Sequence, residues 1–263
     1  MTDRRIDTTR PSPARMYDYM LGGKNHFAVD VEAAQRVLEV APESRLLTVV
    51  NRQFLERATR YAAGLGIRQF LDIGSGLPTQ QNVHQVAQAE LPNARTVYVD
   101  NDPSVLALAE ALIVNDPDTG YVEGDLMTPL EIVDHPTTQR LIDFSQPVAV
   151  VLLAVLHFVP PGNDPYGIVR DLMEQVPSGS LLVLSHATTD RINPEVWKRI
   201  QENNKNLAVP LNFRPGDDIA KFFDGLDLVA PGFTFIEQWA PGETLPLDTT
   251  HPLKLRCGVA MKP

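Results

Sequence analysis

Residues 70–79, Phe-Leu-Asp-Ile-Gly-Ser-Gly-Leu-Pro-Thr, carry the densest chemical signal in the chain. A short apolar run enters Gly74-Ser75-Gly76, and glycines at such a bend let the backbone adopt φ > 0 and approach a ligand that a Cβ would hold away. A second apolar run, residues 96–99, ends in Asp100, 24 positions after Gly76. If the two runs are neighbouring parallel strands, the Asp100 carboxylate stands beside the bend, where it can accept hydrogen bonds from two ribose hydroxyls. The pair points to a nucleoside-containing ligand. The alternative is a tight strand–helix turn that binds nothing.

The local pattern separates two kinds of nucleoside. A dinucleotide site needs a third glycine for close helix packing and turns a helix N-terminus toward the pyrophosphate. Here the order is Gly-x-Gly-x-Pro-Thr, and Asp72 stands two residues before the first glycine. S-adenosylmethionine (SAM) has no phosphate and carries a sulfonium and an ammonium group, so acidic surroundings suit it better.

These residues need a scaffold. Short apolar runs at 69–73, 96–99, 120–122, 148–153 and 181–185 read as strands, with helical patterns at 79–90, 103–114, 130–141 and 165–175 between them. That alternation predicts right-handed crossovers and a parallel sheet covered on both faces. Helical patterns at 194–204 and 216–223 precede two strand-like runs, 233–238 and 255–261, with no helix between, so these two should pair antiparallel. Before the sheet, helices are expected at 29–40 and at 44–65, the second with Ser44 as N-cap and Gly66 at its end. The first dozen residues read as disordered, and Arg4, Arg5, Arg10 and Arg15 as the solvated charges of a tail. Residues 14–27, with Tyr17, Tyr19, Gly22 and Gly23, suggest an ordered loop that covers a ligand, with Lys24 or Asn25 meeting the SAM carboxylate. A loop in which Tyr17 and Leu21 merely staple the N-terminus to the sheet is the simpler reading.

With these segments in place the chain resembles the Rossmann-like SAM-dependent methyltransferases. Asp72 to Gly76 is similar to their first motif, Val97-Tyr98-Val99-Asp100-Asn101-Asp102-Pro103 to the ribose-binding strand, and Val122-Glu123-Gly124-Asp125-Leu126 to the strand end facing adenine. Residues 148–158 are similar to the fourth-strand motif beneath the transferring methyl. Residues 15–27, Gly-Ser-Gly-Leu-Pro-Thr and Asn82-x-His84 narrow the resemblance to one actinobacterial SAM-methyltransferase family, first catalogued as a domain of unknown function. The resemblance implies an α/β, class I methyltransferase fold: a mostly parallel seven-stranded sheet with an antiparallel last strand, helices on both faces and an N-terminal helical extension. It divides the chain into 1–65, an extension that covers the cofactor, and 66–263, the SAM-binding domain. It implies SAM as cofactor, held by Tyr17, Gly22, Gly23, Gly74, Ser75, Gly76, Leu77, Asp100, Asn101, Asp102, Asp125, Leu126 and Ala154. It brings no acceptor.

His157 closes the fourth apolar run where methyl transfer would take place, and reads either as a structural histidine or as the base that takes a proton from the acceptor. His84 and His186 stand behind it. An Asn/Asp-Pro-Pro-Tyr signature for methylating nucleic-acid amino groups is absent after that strand, which continues Leu-His-Phe-Val-Pro-Pro. Composition excludes more. A net charge of −10 opposes a phosphate backbone, so nucleic acid is not expected as a partner. The single cysteine, Cys257, and six scattered histidines leave no metal site in view. The apolar stretch 148–159 falls short of the ~20 residues that cross a bilayer, so a cytoplasmic protein without a membrane partner is expected. The expected function is methyl transfer from SAM to a small molecule. Its rivals are a SAM-binding sensor without turnover and a nicotinamide-dependent oxidoreductase. Oligomeric state is not legible.

Overall fold

The computed structural model describes residues 6–78, 82–112, 116–242, 251 and 253–263. Three helices, α1 (Pro13–Met20), α2 (Ala28–Val40) and α3 (Ser44–Gly64), precede β1 (Gln69–Ile73). Then follow α4 (Val83–Glu90), β2 (Arg95–Asp100), α5 (Pro103–Leu112), β3 (Thr119–Glu123), α6 (Pro129–Asp134), α7 (Pro136–Leu141) and β4 (Ala149–Leu153). The chain ends with α8 (Pro165–Glu174), β5 (Leu181–Thr188), α9 (Pro194–Asn204), α10 (Gly216–Ala220), β6 (Asp227–Leu228), β7 (Thr234–Phe235) and β8 (Lys254–Met261). The order across the sheet is β3-β2-β1-β4-β5-β8-β6, with β7 also paired to β8. The first five strands are parallel, and β8 runs antiparallel to β5, β6 and β7.

The fold is therefore the expected one, with an eighth strand. Both β6 and β7 are two-residue strands on β8, and the run expected at 233–238 turns into a 3₁₀ turn at Ile236–Gln238 after Phe235. The expected helix at 130–141 is two helices, because Pro136 cannot donate within a continuous helix and opens a new one at its first position. Ser44 lies inside α3 and Glu43 occupies the cap position. Residues 14–20, expected as a loop, are helical: Ser12 caps α1 by accepting the Arg15 N–H, and Pro13 pre-sets the first turn. The expected helix start at Thr79 and the expected helix end at residues 113–114 lie outside the described residues.

Strand side chains alternate between two cores. Leu71, Ile73, Val97, Val99, Val150, Leu152, Leu182 and Leu184 fill one face of the sheet with Ile132, Leu172 and Ile219 of the overlying helices. Phe70, Tyr98, Ala149, Val151 and Val183 fill the other, against Phe54, Ala58 and Ala62 of α3 and against Trp239. Burial on both faces explains why β4 reads as a continuous apolar run. Among the described residues, no helix is long and apolar enough to cross a membrane.

Candidate active site

Strand order reverses between β1 and β4, with β2 and β3 added on one side of β1 and β4 and β5 on the other, and a crevice opens there at the strands' carboxyl ends. The Gly74 N–H and Ser75 N–H both donate to Val99 O, at 2.8 and 3.1 Å, which ties the bend after β1 to the end of β2. Gly74 has φ +73°, and a Cβ there would overlap the Val155 side chain. Gly76 has φ +66°, and its Cβ direction is open space. The first glycine is needed for packing and the second leaves room for a ligand.

Asp100 sits where its spacing from Gly76 predicted. Its Oδ2 accepts the Gly76 N–H at 2.8 Å and its Oδ1 accepts the Asp102 N–H at 3.0 Å. A carboxylate has about four lone-pair positions, so each oxygen keeps one for a hydroxyl. Burial pushes Asp100 up to about 6. Asp72, more deeply buried, is pushed up to about 7 by desolvation, against the opposing pull of Arg52. Two carboxylates held partly protonated in one crevice suit a ligand that brings positive charge.

The crevice widens into a cavity of about 390 Å³. Of the sequence-predicted residues, Tyr17, Gly74, Ser75, Gly76, Asp100, Asn101, Asp102, Leu126, Ala154 and His157 line it. Gly22, Gly23, Leu77 and Asp125 do not. Gly22 and Gly23 close the end of α1, where the Gly23 N–H donates to Asp18 O at 2.9 Å. The Asp18 carboxylate accepts the Asn25 N–H at 2.8 Å, so that loop is tied to α1, and Lys24 and Asn25 stay off the cavity wall. Leu77 is buried core. Asp125 accepts the Met127 N–H at 2.9 Å in a local turn, leaving Gly124 and Leu126 on the wall.

The hydrogen bonds that join these residues to one another carry no local signal. Ala154 has φ +53°, a conformation that costs a non-glycine residue roughly 1 kcal/mol or more. Its N–H donates to Ser185 Oγ at 3.0 Å; that hydroxyl donates to Asn51 Oδ1 at 2.6 Å. The Asn51 amide donates to the Tyr17 hydroxyl at 3.1 Å, which donates to Thr48 O at 3.0 Å. One chain of hydrogen bonds thus runs from the end of β4 through β5 and α3 to α1. Arg15, expected in a solvated tail, is buried: its Nε meets Asp30 Oδ2 at 2.8 Å, and its guanidinium lies 3.8 Å from Asp102. The Ser12 hydroxyl also bonds Asp102.

At the far side of the crevice His157 is buried, and among the described residues its Nδ1 has no hydrogen-bond partner. Its ring stands 5.6 Å from that of His186. Arg214 packs behind both: it donates to His186 Nε2 at 2.6 Å, to Leu156 O at 3.1 Å and to Val159 O at 2.9 Å. An arginine can only donate, so His186 Nε2 accepts and its Nδ1–H points to Ala187 O at 2.8 Å, which defines a neutral tautomer. Burial and the Arg214 charge hold His157 down at about 3, so its imidazole is neutral at physiological pH. His84, by contrast, bonds the Tyr98 hydroxyl at 2.7 Å and is not on the cavity wall.

The whole chain, residues 1–263, matches the family model described as S-adenosyl methyltransferase. A DUF574-family protein from Streptomyces avermitilis is 38% identical over 98% of this chain and 100% of its own, with a TM-score of 0.91. A Thermobifida fusca protein proposed to be a methyltransferase is 36% identical over 98% and 97%, with a TM-score of 0.89. The plantazolicin methyltransferase, solved with S-adenosylhomocysteine (SAH), covers 95% of each chain at a TM-score of 0.54 and 10% identity, a likeness of fold alone. No curated protein matches the sequence.

Proposed function

Because the chain belongs to the S-adenosyl methyltransferase family, and is thus a SAM-dependent methyltransferase, we propose that its acceptor is a small molecule bound in the same cavity as the cofactor. The observation that carries this reading is the continuity of the cavity. It runs from Asp100 and Gly76, across Ala154, to His157, Ala187 and Leu255, which follows the sheet order from β2 through β1, β4 and β5 to β8.

The residues at the first end fit SAM. Asp100 would accept from the ribose hydroxyls, and Asn101, Gly124 and Leu126 would border the base. Asp72 and the Gly74–Gly76 backbone would face the methionine end. When bound, SAM supplies an activated methyl group, and the protein's part is alignment in a site closed to water. Tyr17, on the buried hydrogen-bond chain, places α1 over the crevice as a cover. His157 would receive the acceptor's nucleophilic group. The net charge of −10 supports a small acceptor over nucleic acid, and a cytoplasmic setting accords with a SAM enzyme.

The test uses methyl-labelled SAM and a cell extract separated by size. Label in the fraction of small molecules is the expected result. Label confined to protein or nucleic acid, with none in small molecules, would overturn the proposal.

A further inference from the structure

The second end of the cavity has a character of its own. Beyond His157 its wall is Leu207, Val209, Leu211, Phe213, Leu253 and Leu255. All the carboxylates on the cavity wall, among the described residues, are Asp72, Asp100 and Asp102, and all three stand at the cofactor end. Lys254, at the apolar end, is paired with Glu237 at 2.9 Å. Arg214 lies behind His157, buried and donating into the turn that carries the histidine. Its charge bears on His157 itself. An acceptor with an ammonium group would therefore meet positive charge and apolar walls, with no carboxylate on this part of the wall among the described residues. His157 Nδ1 is fully enclosed and has no hydrogen-bond partner among the described residues, so its other ring nitrogen, Nε2, is the one left to meet a group in the cavity that His157 lines, and a hydroxyl can bond it without bringing charge.

We infer that the acceptor is an uncharged, largely apolar molecule that presents a hydroxyl group to His157, so that the reaction is O-methylation. This rests on the proposed reading of the cavity as joint cofactor and acceptor site. In the step, the hydroxyl oxygen forms a bond to the methyl carbon, and the carbon–sulfur bond breaks with its electron pair left on sulfur. The oxygen's proton passes to the His157 imidazole. Even a weakly basic imidazole accepts it, because an oxygen bearing both a methyl group and a proton is a far stronger acid. Beside Arg214 the imidazolium is unstable, and it returns the proton to water as the products leave.

The experiment measures binding, so it does not depend on turnover. SAH is titrated first, and the saturated protein is then titrated at pH 7.5 with 2-naphthol, naphthalene and 2-naphthylmethylamine, the last a cation. Expected is 2-naphthol binding at least tenfold more tightly than either of the others, with the margin over naphthalene lost in His157→Phe. Equal or tighter binding of the amine, equal binding of naphthol and naphthalene, or binding of none of them would overturn the inference in wild-type protein, whatever the fate of the variant. Failure of SAH to bind would sink both this and the reading it rests on. SAH binding followed by preference for the amine would sink only the hydroxyl.

Discussion

Asp72 and Asp100 lie on neighbouring strands at the proposed cofactor end, Asp72 buried and Asp100 partly so. An acid whose pKa is raised by folding weakens the fold as pH rises from its unfolded value, near 4, to its folded one, and by a constant amount above that. With Asp72 at about 7, Asp72→Asn should raise the melting temperature of the cofactor-free protein by an amount that grows from about pH 4 to about pH 7 and then levels off. Calorimetry at pH 5 and pH 8 checks this, and an equal gain at both would show that Asp72 carries no raised pKa. The same two groups make a prediction for binding. Only the ionised carboxylates attract a cation, so affinity for SAM should rise with pH through about 6 to 7, and affinity for SAH, which lacks the sulfonium charge, should rise less. Titration calorimetry across pH 5.5–8.5 decides it; parallel curves would exclude a charge role. Asp100→Asn should weaken SAM binding by roughly 10- to 100-fold, since hydrogen bonds to a charged group contribute ~1.5–3 kcal/mol.

The bend after β1 and the end of β4 show how elements place these residues. The glycines of the bend have different tasks, so equal substitutions should have unequal effects. Gly74→Ala drives a Cβ into Val155 and should lower the melting temperature sharply. Gly76→Ala meets open space and should cost the fold only the ~1–2 kcal/mol of a left-handed residue, while the new methyl group narrows the cavity and cuts SAM affinity much further. Melting curves and cofactor titrations on both variants separate the two; a Gly76→Ala protein that binds SAM normally would remove that residue from the site. The bend, Asp100 and the buried strands were legible in the sequence because each is a local pattern: apolar runs, glycine spacing, an acid at a strand end. Arg15, Asn51, Ser185 and Arg214 were not, because their meaning lies in partners far along the chain. Ser185 bonds Asn51, 134 positions away, and neither residue type marks a site by itself. The helix α1 was hidden for another reason. Gly22-Gly23 and the tyrosines of residues 17–19 look like a loop, and the capping by Ser12 that starts the helix is stabilised by tertiary contacts: Asp30 holds the Ser12 N–H at 2.9 Å.

At the scale of the whole molecule, α1 and α2, the proposed cover, are joined to the sheet by two polar connections of different kind. One is the neutral chain from Tyr17 through Asn51 and Ser185 to Ala154. The other is ionic: Arg15 pairs with Asp30 of α2 and reaches Asp102, two residues after Asp100, the proposed ribose ligand. The Arg15 and Asp30 side chains are 4% and 0% exposed, so neither charge can turn to water if the other is lost. Truncating one partner of such a pair costs about 3–5 kcal/mol, whereas neutralising both is far milder. Arg15→Ala should therefore destabilise the cover strongly, with faster amide hydrogen exchange over residues 12–30 and quicker release of SAM in stopped flow. Arg15→Met combined with Asp30→Asn should recover most of the stability. It should not recover slow release, because the charge that reaches Asp102 is still missing. If the double variant held SAM as long as the wild type, packing of the helices alone would close the cavity, and the ionic link to Asp102 would have no part in retaining the cofactor.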